Sequence, residues 1–179
     1  MVNSTSLIGI LGKDPEETTL ENGAHVVHLS LGIKEYFTNK QGEPQENTIW
    51  ITAQCNDEWC AIALQKLKKD QYVWVTGTLR PEKWEDIDKN IAYRVLEVDV
   101  QNLAVLDAKA LQSYTQNQVQ IMGLLGDDPQ VFAPVGKNKI ARLSVAVKQA
   151  VRGTGDQQTL WFQVTCWRGV ADVADRYLK

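Results

Sequence analysis

Histidine is nearly absent from this sequence: His25 and His28 are the only two. Their spacing puts them on opposite faces of a strand, and no nearby cysteine or carboxylate completes a zinc set. Cysteine is scarce as well. Cys55, Cys60 and Cys166 follow no zinc-type spacing, which leaves reduced thiols in a cytosolic chain. No glycine-rich spacing precedes Lys13, so it belongs to no phosphate loop. No nucleophile has a visible base. An enzyme therefore has little to start from, and neither a metal nor a cofactor is expected. No uninterrupted apolar run approaches membrane-spanning length. The N-terminus lacks a basic segment followed by an apolar stretch, so nothing suggests export.

What the sequence does contain is itself twice. Leu7-Ile-Gly-Ile-Leu-Gly-Lys-Asp-Pro15 returns 114 positions later as Ile121-Met-Gly-Leu-Leu-Gly-Asp-Asp-Pro129. Leu29-Ser-Leu-Gly-Ile-Lys34 matches Leu143-Ser-Val-Ala-Val-Lys148 at the same offset. Thr48-Ile-Trp50 matches Thr159-Leu-Trp161 at an offset of 111, so the second copy has three residues fewer in the loop between. The register reaches Leu178-Lys179, whereas the first copy runs on for about 38 residues, to Leu106. The 179 residues therefore divide into a unit over 1–106, a linker over 107–117 and a shorter unit over 118–179. The halves differ in charge. Residues 1–112 carry 11 Lys and Arg against 17 Asp and Glu, a net of −6, while residues 113–179 carry 8 against 5, a net of +3. The second half offers a polyanion the better field.

Within copy one, alternation marks strands over about Ser4–Gly12, His25–Tyr36, Thr48–Cys55, Tyr72–Arg80 and Ile91–Leu106. A helix is expected over about Asp57–Lys69, with Asp57 as its cap. Gly-Lys-Asp-Pro turns the chain after the first strand, Gly12 supplying a position that tolerates positive φ. Pro81–Asn90 reads as a long hairpin tip. Strand-strand-strand-helix-strand-strand is the order of the OB-fold, a five-stranded Greek-key barrel. The fold class is thus all-β with one short helix per unit, in two tandem OB-folds. The second copy supplies three strands and the helix, and lacks the last two strands.

In the third strand Ile49, Ile51, Ala53 and Cys55 form one face, and Thr48, Trp50, Thr52 and Gln54 the other. Copy two repeats this, with Leu160, Phe162, Val164 and Cys166 inward and Trp161 and Trp167 outward. Trp74 and Tyr36 fall on polar faces by the same rule. Lys34, Arg142 and Lys148 share those faces. Aromatics mixed with cations on one sheet face suit unpaired nucleic acid, because bases stack on the rings and cations follow the phosphates. Each ring could instead pack under a loop or in a subunit interface. Trp59, in the first turn of the helix, belongs to the core.

At these residues the chain resembles the bacterial single-stranded-DNA-binding proteins, in a form with two OB domains in one polypeptide. The matching features are Gly9-x-x-Gly12-x-Asp14-Pro15, Leu29-Ser-Leu with Tyr36 beyond it, Thr48-x-Trp50, Leu67-Lys-Lys69, Val75-Thr-Gly-Thr-Leu-Arg80 and Lys83-Trp84. Copy two adds Gly123-x-x-Gly126-x-Asp128-Pro129, Thr159-x-Trp161, Cys166-Trp167 and Ala174-Asp-Arg-Tyr-Leu178. The resemblance implies sequence-independent binding and protection of single-stranded DNA in replication, recombination and repair, in the bacterial cytoplasm at the nucleoid. It implies stacking positions at Tyr36, Trp50, Trp84, Trp161 and Trp167, to which the alternation adds Trp74. The cations expected on phosphates are Lys34, Arg80, Lys83, Arg142, Lys148, Arg152 and Arg168. By the same resemblance, family members work with four OB units, so a homodimer is expected.

The chain departs from that pattern. Asn56 stands where an aromatic is usual, and Ala150 where copy one has Tyr36. Glu82, Glu85, Asp86 and Asp88 surround Trp84 and should repel phosphate. The acidic tail with a hydrophobic tip, by which family members recruit repair and replication enzymes, is missing from these residues. A three-stranded copy two would expose strand edges, so the chain is expected to be a piece of a longer protein or to be completed by a partner subunit. The competing reading is an OB-fold assembly module with weak or no DNA binding.

Overall fold

The computed structural model describes residues 1–20, 23–39, 41–86, 91–107, 115–136, 138–151 and 154–178, leaving out the side chains of 82–86 and 91–95. The chain divides into two units, Ser4–Val119 and Gln120–Lys179, the latter joined by Met1–Asn3.

In the first unit β1 (Val2–Leu11) pairs with β5 (Tyr72–Asp86) over Thr5–Ile10 and, at its end, with β3 (His25–Thr38) through Ile10 and Leu11. β3 pairs along its length with β4 (Pro44–Asn56), and β5 with β6 (Ile91–Leu106). Parallel pairing of Thr52–Gln54 with Glu97–Asp99 joins β4 to β6 and closes the barrel. A short strand, β2 (Glu16–Thr19), pairs with β3 on its outer side. β7 (Gln116–Met122) follows β1 in the strand order, and the Thr5 hydroxyl donates to the Gln118 carbonyl at 3.1 Å. The inward residues follow the alternation: Val27, Leu29, Leu31, Ile33, Ala53, Cys55, Val73, Val75 and Val98 are fully buried. Each large aliphatic of this set contributes about 1.5–3 kcal/mol on leaving water. Burial also pushes the Cys55 thiol up to about 12, so it stays protonated across the neutral range.

The helix α1 (Glu58–Lys66) seats Cys60 and Ala63 in the core. Trp59, Ile62, Lys66 and Leu67 line a cavity of about 350 Å³ with Leu103 and Val105 of β6.

In the second unit β10 (Ile140–Ala150) is central. It pairs with β11 (Gln157–Trp167), with β8 (Leu124–Leu125) and with β9 (Gln130–Phe132). Ala141, Leu143 and Cys166 form a small core with Ala171 and Ala174 of the second helix, α2 (Gly169–Tyr177). Val170, Val173 and Tyr177, the repeat counterparts of Trp59, Ile62 and Lys66, are exposed. In the first unit β6 faces that side of the helix. No helix among the described residues is long and apolar enough to cross a membrane.

Several expectations are corrected. β2 and β9 are strands in segments to which the alternation assigned no element. β5 continues through Pro81 to Asp86, so that part of the expected tip is strand, and 87–90 lie outside the described residues. Of the linker, 108–114 lies outside the description, and β7 already begins at Gln116. Asp57 makes no side-chain cap; it enters α1 at φ 51, and Arg168 enters α2 at φ 53. Gly12 is not among the positive-φ residues, so room rather than backbone freedom is what it provides.

Candidate nucleic-acid interface

Strand registers place the outward side chains in rows, and the rows of the two units can be matched position by position. In the first unit Gly32 lies opposite Trp50, Lys34 opposite Thr48, and Tyr36 opposite Glu46. In the second, Ala146 lies opposite Trp161, Lys148 opposite Thr159, and Ala150 opposite Gln157. Further along, Glu16–His28–Gln54 in the first unit corresponds to Gln130–Arg142–Thr165 in the second. Thr18–Val26–Asn56 corresponds to Phe132–Ile140–Trp167.

The aromatics on these rows are open to solvent: Trp50 is 60% exposed, Tyr36 56%, Trp161 45% and Trp167 58%. Trp161 and Trp167 are six residues apart on β11, which places them about 20 Å apart along the strand. The Arg142 guanidinium lies 5.3 Å from the Phe132 ring centroid, a cation–π distance. That contact holds a cation and a ring together on the face carrying Trp167. Phe132 was missed by sequence reasoning because β9 has only three residues, too few to display alternation. Phe37 was also missed; it is exposed beside Tyr36 at the end of β3.

The cations are not equivalent. In the first unit Lys34 Nζ lies 2.8 Å from Glu46 Oε1. The hydrogen bond and charge of Glu46 hold its ammonium above the usual lysine value. In the second unit the matching positions are Lys148 and Gln157, so this acid is replaced by a neutral amide. Arg80 is engaged inside the first sheet. Its Nη2 donates to Gln54 Oε1 at 3.0 Å and to Glu97 Oε2 at 3.1 Å, and Nη1 stands 3.6 Å from Asp99 Oδ1. Trp74 is half-buried and its Nε1 donates to the Ser6 hydroxyl at 3.0 Å. Arg80 and Trp74 are thus already engaged by neighbouring barrel residues. Arg168 is exposed at the start of α2, next to Trp167. Lys139, not singled out in the sequence, bridges Asp172 and Asp175 of α2 at 2.9 Å each. These two acids raise its pKa, Asp172 first. Arg152 lies outside the described residues. Lys83 and Trp84 lie on β5 opposite Arg94 and Tyr93, their side chains outside the description.

Chemically, the second unit offers two flat rings, a third ring held under a guanidinium, and Lys148 beside them. The first offers Trp50, Tyr36 and, beside Tyr36, the exposed Phe37, with a lysine already paired with a carboxylate. Either face suits stacking of unpaired bases more than insertion into a groove of a duplex.

The chain is 33% identical over 123 residues to single-stranded DNA-binding protein 1 of Chlorobaculum tepidum, covering 65% of this chain and 76% of that protein. It is 26% identical over 188 residues to the single-stranded DNA-binding protein of Thermus aquaticus, covering 99% of this chain and 71% of that protein. A crystal structure of a deletion mutant of the Thermus aquaticus protein superposes with a TM-score of 0.80 at 24% identity, over 99% of this chain and 81% of that one. The structure of a Plasmodium falciparum single-strand binding protein in complex with single-stranded DNA superposes with a TM-score of 0.52 at 26% identity, over 60% of this chain and 97% of that one. The single-strand binding protein family matches residues 2–106 and 116–179, and with both halves covered the chain belongs to that family.

Proposed function

We propose that the chain binds single-stranded DNA without regard to sequence, by stacking bases on Trp50, Tyr36, Trp161 and Trp167 and pairing phosphates with Lys34, Arg142, Lys148 and Arg168. The observation that carries this is the solvent exposure of aromatics at matched rows of both units. Family membership and relatives named for single-stranded DNA binding support it. The chain is read as a binding protein of replication, recombination and repair in the bacterial cytoplasm, at the nucleoid, and not as an enzyme. Residues 1–106 and 118–179 form its two binding units, and a homodimer brings four together. Titrating the protein with poly-dT at low salt tests the function. Tryptophan fluorescence should be quenched and the affinity should fall steeply as salt rises. Unchanged fluorescence at saturating poly-dT would overturn the proposal.

Glu46 sets a limit on the first unit. Glu46→Gln, which copies Gln157 of the second unit, frees Lys34 for phosphate. Affinity at low salt should rise, and the slope of log K against log salt should steepen by up to about 0.7, one further phosphate contact on a single strand. A salt series on the variant and the parent checks this.

A further inference from the structure

Gly12 and Gly126 occupy matched positions at the end of the first strand of each copy. Both backbones are pinned alike: Gly12 N–H donates to the Ser30 carbonyl and Gly126 N–H to the Ser144 carbonyl, each at 2.9 Å. Over each glycine lies the ring of the outward tryptophan. A Cβ added to Gly12 would sit 2.3 Å from Trp50 Cζ3 and 2.6 Å from Cη2. One added to Gly126 would sit 2.5 Å from Trp161 Cζ3 and 3.0 Å from Cη2. The same ring edge meets the same backbone position in both units. Neither glycine has positive φ, so conformation does not demand glycine there. The ring does.

We infer that Gly12 and Gly126 are positioning residues, each a bare backbone seat against which the six-membered ring of Trp50 or Trp161 is held. The inference rests on the stacking role proposed above. The seat holds one edge of the indole to the sheet, so the ring keeps one orientation. A methyl group at the seat must push the ring away, because the pinned backbone cannot retreat. Gly32 provides an internal contrast. It lies opposite Trp50, and its added Cβ would stand 3.1 Å from that ring. The matching residue of the second unit is Ala146, which lies opposite Trp161. The chain therefore accommodates a methyl group at this neighbouring position while keeping glycine at the seat in both copies.

The test uses the full chain labelled with 5-fluorotryptophan. Fluorine NMR of the free protein reads each ring without DNA, Trp50 and Trp161 being assigned through Trp50→Phe and Trp161→Phe. Gly12→Ala should move the Trp50 resonance and Gly126→Ala the Trp161 resonance, while Gly32→Ala, whose added Cβ asks the ring to give by only a few tenths of an ångström, should move the Trp50 resonance less than Gly12→Ala does. Poly-dT affinity should fall about tenfold in Gly126→Ala, the scale of one lost stacking platform. In the Trp161→Phe background the shorter ring clears the seat, and the same substitution should cost under about threefold. Resonances that stay in place would overturn the inference. So would an equal loss of affinity in both backgrounds, since the glycine would then act through the backbone alone. If Gly126→Ala does not fold, recovery of folding by Trp161→Phe supports the seat, and failure to recover overturns it. A parent protein that binds no DNA would sink the stacking role, and the fluorine shifts would still decide the seat.

Discussion

Replacing Trp161 and Trp167 together by alanine should weaken poly-dT binding by roughly 100-fold, two stacked bases at about 1–3 kcal/mol each. Trp50→Ala should cost about tenfold or less. The asymmetry follows from the matched rows. Where the first unit has Glu16, His28 and Gln54, the second has Gln130, Arg142 and Thr165, exchanging an acid for an amide and gaining a guanidinium. Where the first has Thr18 and Asn56, the second has Phe132 and Trp167, gaining two rings. Where the first has Glu46 paired with Lys34, the second has Gln157 near Lys148. Tyr36 and Phe37 favour the first unit, Ala150 and Val151 being their counterparts. Three rows thus shift charge and stacking area toward the second unit, in line with its net charge of +3 against −6. Isothermal titration of the double variant and of Trp50→Ala at one salt concentration checks the order. A larger loss from Trp50→Ala would mean that the first unit carries the main site.

Gly77→Ala should destabilise the first unit by about 3 kcal/mol, near the upper end for an inserted methyl group in a packed interior. Gly77 stands at the register shift between Thr76 and Gly77, where β5 changes its alignment on β6. A Cβ there would lie 1.9 Å from the Asp99 carbonyl oxygen. That oxygen belongs to the segment Glu97–Asp99 that closes the barrel against β4. The clash therefore falls on backbone at the closing seam, where no rotamer can relieve it. Gly169→Ala serves as the control. Nothing stands within 4 Å of an added Cβ, and the residue opens a helix, so the change should be neutral or stabilising by about 0.5–1 kcal/mol. Urea melts of the two variants measure the contrast.

The barrel was legible wherever one face of a strand is buried, because alternation then writes itself into the sequence. Ile49–Cys55 and Leu160–Cys166 gave both copies of the third strand, and the buried faces agree, with Ile49, Ile51 and Val164 only partly covered. Short or interrupted strands were not legible. Glu16–Thr19 is polar and exposed throughout, and Gln130–Phe132 is three residues long. Pro81 made the extension of β5 look like a turn, since proline is uncommon inside sheets. At the candidate site, alternation found the exposed rings but not what they rest on. Trp50 reaches Gly12 across 38 positions of sequence. Arg80 and Trp74 have the right parity for the outer face, yet Glu97, Asp99, Gln54 and Ser6 engage them through contacts that only the closed barrel creates. Helix α2 shows the reverse: its apolar period over Val170, Val173 and Tyr177 is clear, while those three side chains are exposed.

The most direct measurement is photo-crosslinking of the full chain to an oligodeoxynucleotide carrying 5-iododeoxyuridine, with the adducts mapped by mass spectrometry. Adducts should fall on Trp161 and Trp167, then on Trp50 and Tyr36, and competition with unlabelled poly-dT should remove them. Adducts confined to Trp59, Trp74 or Tyr177, or oligonucleotide recovered wholly free, would contradict the account.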